Sequence, residues 1–206
     1  MKNFVRLLAL ASVKVRCPEF EAQIKDDPEM ACRYAFTIHE RFRKGEAAIA
    51  RSPEWAVYYA QYVLRRRWRR AEATIAEDAQ WSVYYARHVI KGRFRKAERT
   101  IAQDAGQSLW YAIEVLGGRF RKGEAAIARS PCNALSYAVH VLRGRFRKGE
   151  ATIAKSAQCA CDYAHRILGR RFVEAEPYIR LDYAWAKRYA QLVLQGPWPE
   201  ADVTIA

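Results

Sequence analysis

The sequence predicts an all-α protein, an α-solenoid of helix-turn-helix repeats about 26 residues long. Three ladders in one register carry that prediction. Tyr-Ala pairs begin at Tyr34, Tyr59, Tyr85, Tyr111, Tyr137, Tyr163 and Tyr189, with a first step of 25 residues and later steps of 26. An aromatic ladder (Phe42, Trp68, Phe94, Phe120, Phe146, Phe172, Trp198) and an isoleucine ladder (Ile49, Ile75, Ile101, Ile127, Ile153, Ile179, Ile205) both step by 26 throughout. One hairpin of this length cannot bury its own apolar faces, whereas a stack of hairpins shares a continuous core.

The elements follow in chain order. Residues 1–26 read as a degenerate N-terminal capping unit, with Asn3 to Val13 as its first helix. Arg16 to Ile24 supplies its second half, with Cys17 at the aromatic position. Residues 27–206 hold seven tandem repeats, opening at Asp27, Ser52, Asp78, Asp104, Ser130, Ser156 and Asp182. No Pro/Gly/Ser-rich linker interrupts the series, so residues 1–206 are expected to form a single repeat domain. Each opening Ser or Asp is a residue type that accepts a hydrogen bond from free N–H groups at a helix start. Pro28, Pro53 and Pro131 follow where a missing donor costs nothing.

Within repeat 2, Trp55, Ala56, Tyr59, Ala60, Val63 and Leu64 make a helical double stripe, helix A. Gly92, Gly118, Gly144 and Gly196 are expected to end helix A as left-handed caps. Helix B then runs roughly from Arg70 to Ala76, anchored by Trp68, Ala71 and Ile75. The last repeat reaches Ala206 without a polar capping helix, which offers a C-terminal end for homo-oligomerisation.

Comparison of the repeats separates packing positions from free ones. The residue four after the ladder aromatic is always acidic: Glu21, Glu46, Glu72, Glu98, Glu124, Glu150, Glu176 and Asp202. Arg41, Arg67, Arg93, Arg119, Arg145 and Arg171 precede the aromatic, and the two rows read as a structural ion-pair ladder. The varying positions lie on one face of helix A at i, i+4, i+7, which marks that face for recognition. Its candidate binding residues are Tyr58, Tyr62, Tyr84, His88, Trp110, His140 and Arg166; large aromatics of this kind anchor interfaces or stack on bases, or else bury against the next helix A.

One feature breaks a local rule. Cations oppose the dipole at a helix start, yet five central repeats open helix B with Arg43-Lys44, Arg69-Arg70, Arg95-Lys96, Arg121-Lys122 and Arg147-Lys148. Stacking would align them as a basic edge suited to an anionic polymer. Simple duplication is the alternative source, since Phe42–Pro53 and Phe120–Pro131 are identical.

Composition narrows the function classes. With 36 Lys+Arg against 22 Asp+Glu the formal net charge is +14, which favours an acidic protein surface or nucleic acid as partner. No apolar run is long enough to span a membrane, and Lys2 and Arg6 around the short Leu7–Ala11 run argue against a signal peptide. Five irregularly placed cysteines suggest a reducing, cytoplasmic setting. Cys159, Cys161 and His165 resemble half a metal site, but their register makes the cysteines small core residues. No catalytic motif occurs, so an enzyme, a cofactor and a metal are not expected.

The unit is similar in architecture to tetratricopeptide and Sel1-like hairpins but shorter. It more closely resembles short tandem repeats of uncharacterised bacteriophage and bacterial proteins that read roughly Tyr-Ala…Gly-Arg-Trp-Pro-Glu-Ala-Glu-Pro-x-Ile. Arg171-Phe172-Val173-Glu174-Ala175-Glu176-Pro177-Tyr178-Ile179 and Pro197-Trp198-Pro199-Glu200-Ala201 carry that resemblance. It implies an α-solenoid and a phage origin, and brings no activity. The expectation is a non-catalytic scaffold that binds an acidic protein surface, such as a host complex that a phage protein inhibits, through the helix A face and the basic edge. The alternatives are a nucleic-acid-binding solenoid and a self-assembling structural element.

Overall fold

The computed structural model describes residues 16–202. The expected Asn3–Val13 helix, Ile205 and the C-terminal end lie outside them. Every element among the described residues is helical, and the chain is an all-α solenoid of helix-turn-helix repeats. It divides into two compact units, Met1–Ile101 and Ala102–Ala206.

All seven opening residues cap helix A as expected. The Asp27, Ser52, Asp78, Asp104, Ser130, Ser156 and Asp182 side chains accept from backbone N–H groups of the first turn. The seven ladder tyrosines are fully buried, as are the isoleucines from Ile49 to Ile179. Each ladder tyrosine meets the aromatic of its own repeat edge-on or tilted, as in the edge-on 5.2 Å Tyr34–Phe42 and 5.1 Å Tyr111–Phe120 ring pairs. Small residues let the two helices of a hairpin approach closely. A Cβ at Gly45 would lie 2.7 Å from the Ala31 methyl, and one at Gly123 would lie 2.5 Å from Ser108 Oγ.

Helix A differs in kind between the first repeat and the others. In repeat 1 it is α-helical from Pro28 to Ile38. In repeat 2 the α-helix Pro53–Tyr58 passes directly into a π-helical segment, Tyr59–Leu64. The same widening recurs at Ala86–Ile90 in the N-terminal unit. In the C-terminal unit it recurs at Tyr111–Leu116, Ala138–Leu142, Ala164–Leu168 and Ala190–Leu194.

The 25-residue first step explains the difference. Repeat 1 has one residue fewer between its tyrosine and its aromatic, eight positions rather than nine. A π turn absorbs one extra residue without lengthening the helix by a turn. The closing hydrogen bond shows it: Glu40 N–H reaches Ala35 O five residues back, whereas Arg66 N–H reaches Ala60 O six residues back. The aromatic pair is unmoved, at 5.2 Å for Tyr34–Phe42 and 5.1 Å for Tyr59–Trp68.

The left-handed cap lies one residue earlier than the glycines indicated. Positive φ falls at His39, Arg65, Lys91, Gly117, Arg143, Gly169 and Gln195. Gly92, Gly118, Gly144 and Gly196 follow the cap and donate to the alanine carbonyl six residues back. Five caps therefore carry a side chain, at roughly 1–2 kcal/mol of local strain each. Helix B of repeat 2 also opens differently from expectation, as a 3-10 turn (Arg69–Ala71) before a short α-helix (Glu72–Ile75), whereas in repeat 5 it is one α-helix, Arg147–Ile153.

Deleting Gln61 should give repeat 2 the spacing of repeat 1 and convert its π segment to α-helix. Far-UV circular dichroism should keep its helical amplitude and unfolding should stay cooperative. Collapse of the near-UV aromatic signal would show that the extra residue is needed to seat Tyr59 against Trp68.

Candidate binding surface

The turns that open helix B are built on a buried network. Burying a carboxylate requires partners for its charge and lone pairs. In the N-terminal unit, Arg41 donates twice to Glu46 Oε1, at 2.9 and 2.7 Å. The Tyr59 hydroxyl of the next repeat donates to the same oxygen at 3.0 Å and accepts the Phe42 N–H at 3.0 Å. In the C-terminal unit, Arg119, Glu124, Phe120 and Tyr137 repeat this arrangement. So do Arg145, Glu150, Phe146 and Tyr163, then Arg171, Glu176, Phe172 and Tyr189. Cys17 takes the aromatic's place at the start, donating its N–H to the Tyr34 hydroxyl, while Arg16 pairs with Glu21. The Arg–Glu ladder is structural.

The second cation of the Arg-Lys pair belongs to this network. Lys44 Nζ lies 3.2 Å from Glu21 Oε2, Lys96 Nζ 3.4 Å from Glu72, and Lys148 Nζ 3.0 Å from Glu124. Each lysine reaches back to the buried carboxylate of the preceding hairpin. Where Glu174 and Glu200 replace the cation, the carboxylates one repeat back are more open. The Glu150 and Glu176 side chains are 17% and 12% exposed, against 2% for Glu124. Arg43, Lys44, Arg69, Arg70, Arg95, Lys96, Arg121, Lys122, Arg147 and Lys148 are all exposed residues at the starts of helix B. In the C-terminal unit, Arg119, Arg145, Arg147 and Lys148 line a cleft of about 540 Å³ together with Glu124.

Burial alone would raise the Glu124 carboxyl, and hydrogen bonds from Arg119 and Lys148 reverse this, holding it below the ordinary carboxylate value. Glu72 is lowered against the same burial by Arg67 and Lys96. For Glu150 the hydrogen bond from Arg145 is the leading cause of its lowering. Burial pushes the Tyr163 hydroxyl up to about 12, so it stays a donor.

The variable face of helix A forms a connected aromatic surface in the N-terminal unit. Tyr58 stacks on Tyr62 with centroids 6.1 Å apart and meets Trp55, Trp81 and Tyr84 edge-on or tilted. Tyr84 lies 4.3 Å from the His88 ring. Burial, then the nearby Arg87, pushes the His88 imidazole below its ordinary value. Tyr62 meets Phe36 of the preceding repeat at 6.1 Å, and the two are 45% and 53% exposed. Phe36, His39, Tyr62 and Arg65 line a cleft of about 260 Å³ with Ala35 and Val63. The Arg33 guanidinium sits over Trp55 at 5.3 Å.

The sequence candidates thus divide. Tyr58, Tyr62, Tyr84 and His88 come together, with Tyr58, Tyr84 and His88 only partly exposed. Trp110 (53% exposed), His140 and Arg166 lie on the C-terminal unit, each exposed. Phe36, Trp55 and Trp81 complete the aromatic surface and were not among the candidates. Phe36 lies 26 residues before Tyr62 but second rather than third after its repeat tyrosine, and the tryptophans fall in the stripe that reads as core. Cys159 and Cys161 are buried as expected. Among the described residues no three His, Cys, Asp or Glu side chains group to hold a metal, and no helix is long and apolar enough to cross a membrane. No family model, curated protein or solved structure matches the chain.

The network separates the two cations of one turn. Lys148→Ala should lower stability in urea titration by about 1 kcal/mol, because Glu124 stays buried with a partner removed, while Arg147→Ala stays within about 0.5 kcal/mol. Equal effects would mean that the lysine contact is immaterial.

Acid sensitivity follows from the depressed carboxylates. A lowered folded-state pKa contributes stability above the ordinary carboxylate range and loses it as pH falls through the folded values. The thermal midpoint should therefore drop as pH falls below about 4. Glu124→Gln should start lower at neutral pH and lose less on acidification.

Proposed function

We propose that the chain is a non-catalytic helical-repeat scaffold that binds an acidic protein surface through the variable face of helix A. The carrying observation is the aromatic surface of the N-terminal unit. It sits where repeats differ, leaves Phe36 and Tyr62 open, and sets His39 and Arg65 beside them in one cleft. Fixed positions serve packing, so residues that vary and remain exposed are free for recognition. Aromatic and arginine side chains are the groups that anchor interfaces. The Arg65 guanidinium beside them favours carboxylates and speeds encounter with an acidic partner.

A nucleic-acid reading draws support from the arginine- and lysine-lined cleft of the C-terminal unit. It is the weaker reading, because three of the paired lysines already serve buried glutamates. That arrangement gives the Arg-Lys turns a packing role and leaves fewer cations for a phosphate track.

Fluorescence anisotropy with two labelled probes separates these readings. One probe is a set of Asp/Glu-rich peptides carrying a Leu or Trp anchor; the other is a duplex oligonucleotide. The acidic peptides should bind, and Phe36→Ala and Tyr62→Ala should each weaken them roughly tenfold or more. Duplex binding that survives both substitutions and disappears with Arg121→Glu and Arg147→Glu would replace this reading with the nucleic-acid one.

A further inference from the structure

We propose that Cys132 and Cys159 form a thiol–disulfide modification site that takes a low-molecular-weight disulfide and locks repeat 5 to repeat 6. Cys132 sits in the first turn of the Pro131–Tyr137 helix and is exposed. Cys159 sits in the first turn of the Ala157–Tyr163 helix and is buried. Their sulfurs lie 3.5 Å apart across the boundary between the two hairpins. A disulfide needs about 2.05 Å between sulfurs, so the two side chains have only the remainder of a 3.5 Å separation to close.

The repeat register supplies a second observation. The Cys132 position holds Glu29, Glu54, Gln80, Gly106, Gln158 and Ala184 in the other repeats, and the Cys159 position holds Met30, Trp55, Trp81, Gln107, Asn133 and Trp185. Cysteine replaces a different residue type at each of two positions that face each other, and it does so at this one boundary. Cys32 and Cys161 are buried core residues in another register.

Exposure and burial divide the chemistry between the two thiols. Burial leads in raising the Cys159 thiol above its ordinary value, whereas Cys132 is open to solvent, so Cys132 reacts first. Its thiolate attacks one sulfur of the small disulfide, forming a mixed disulfide and releasing one thiolate. Cys159 then gives its proton to solvent and attacks the Cys132 sulfur. The second thiolate leaves as the Cys132–Cys159 bond forms. The two protein thiols are oxidised and the small disulfide is reduced to two thiols, whose protons balance those lost by the protein. The cross-link joins consecutive hairpins inside the C-terminal unit and restricts its unfolding.

The test treats the full chain with oxidised glutathione at mildly alkaline pH, quenches with acid, and reads intact mass, free thiols and a peptide map. The native chain should lose two titratable thiols and yield a linked Cys132–Cys159 peptide that dithiothreitol reverses. Its thermal midpoint should rise by roughly 5–10 °C. Cys159→Ser should stop at glutathione on Cys132, and Cys132→Ser should keep its remaining thiols. Glutathione persisting on Cys132 in the native chain, or a bond to Cys17, Cys32 or Cys161 instead, would overturn the proposal.

Discussion

Within each unit, a tyrosine hydroxyl with no contact to water governs the packing of one hairpin on the one before it. In one step it accepts the N–H of the preceding repeat's aromatic and donates to that repeat's glutamate. The N–H belongs to a turn and the carboxylate to helix B, so a single oxygen fixes two parts of a neighbour at once. The cost of an unpaired buried donor or carboxylate then dictates the surrounding residues. The glutamate needs its arginine, and where it is sealed most tightly it also takes a lysine from the hairpin that follows. The fixed residues of the repeat are largely the residues that satisfy this hydroxyl and its carboxylate.

That dependence explains what the sequence displays and what it hides. The tyrosine, aromatic, isoleucine and Arg–Glu ladders are legible because their described members occupy the same environment from repeat to repeat. The caps of helix A are legible because capping is local chemistry. The Arg-Lys turns look anomalous locally because their partner is 23 or 24 residues earlier in the chain, outside the reach of any helix rule. The π segments are hidden for a different reason. Periodicity follows an even α-helical pitch, while the evidence for the widening is one missing residue between Tyr34 and Phe42.

The aromatic surface was half visible in the same way. Variation among repeats points to Tyr58, Tyr62 and Tyr84, but it cannot tell that Tyr58 is enclosed by Trp55, Trp81 and Tyr84 while Tyr62 stays open. The exposed member opposite Tyr62 is Phe36, which keeps the 26-residue step to Tyr62 while the shortened repeat shifts it by one against its own tyrosine. The +14 charge likewise has two populations. One neutralises buried carboxylates and holds the stack together, and the other remains at the surface to shape what approaches it.

The π turn has a consequence for how such a chain can change over time. Arrays of near-identical units grow and shrink by copying, and here two copies differ by one residue inside the repeat, between Tyr34 and Phe42. In a plain α-helix a one-residue error rotates everything beyond it by about 100° and would turn the next tyrosine out of the core. Here the error is taken up by a change of helical pitch over five or six residues, and the next hairpin starts in phase. A 25-residue unit and a 26-residue unit can stand side by side in one array because the helix carries its own slack.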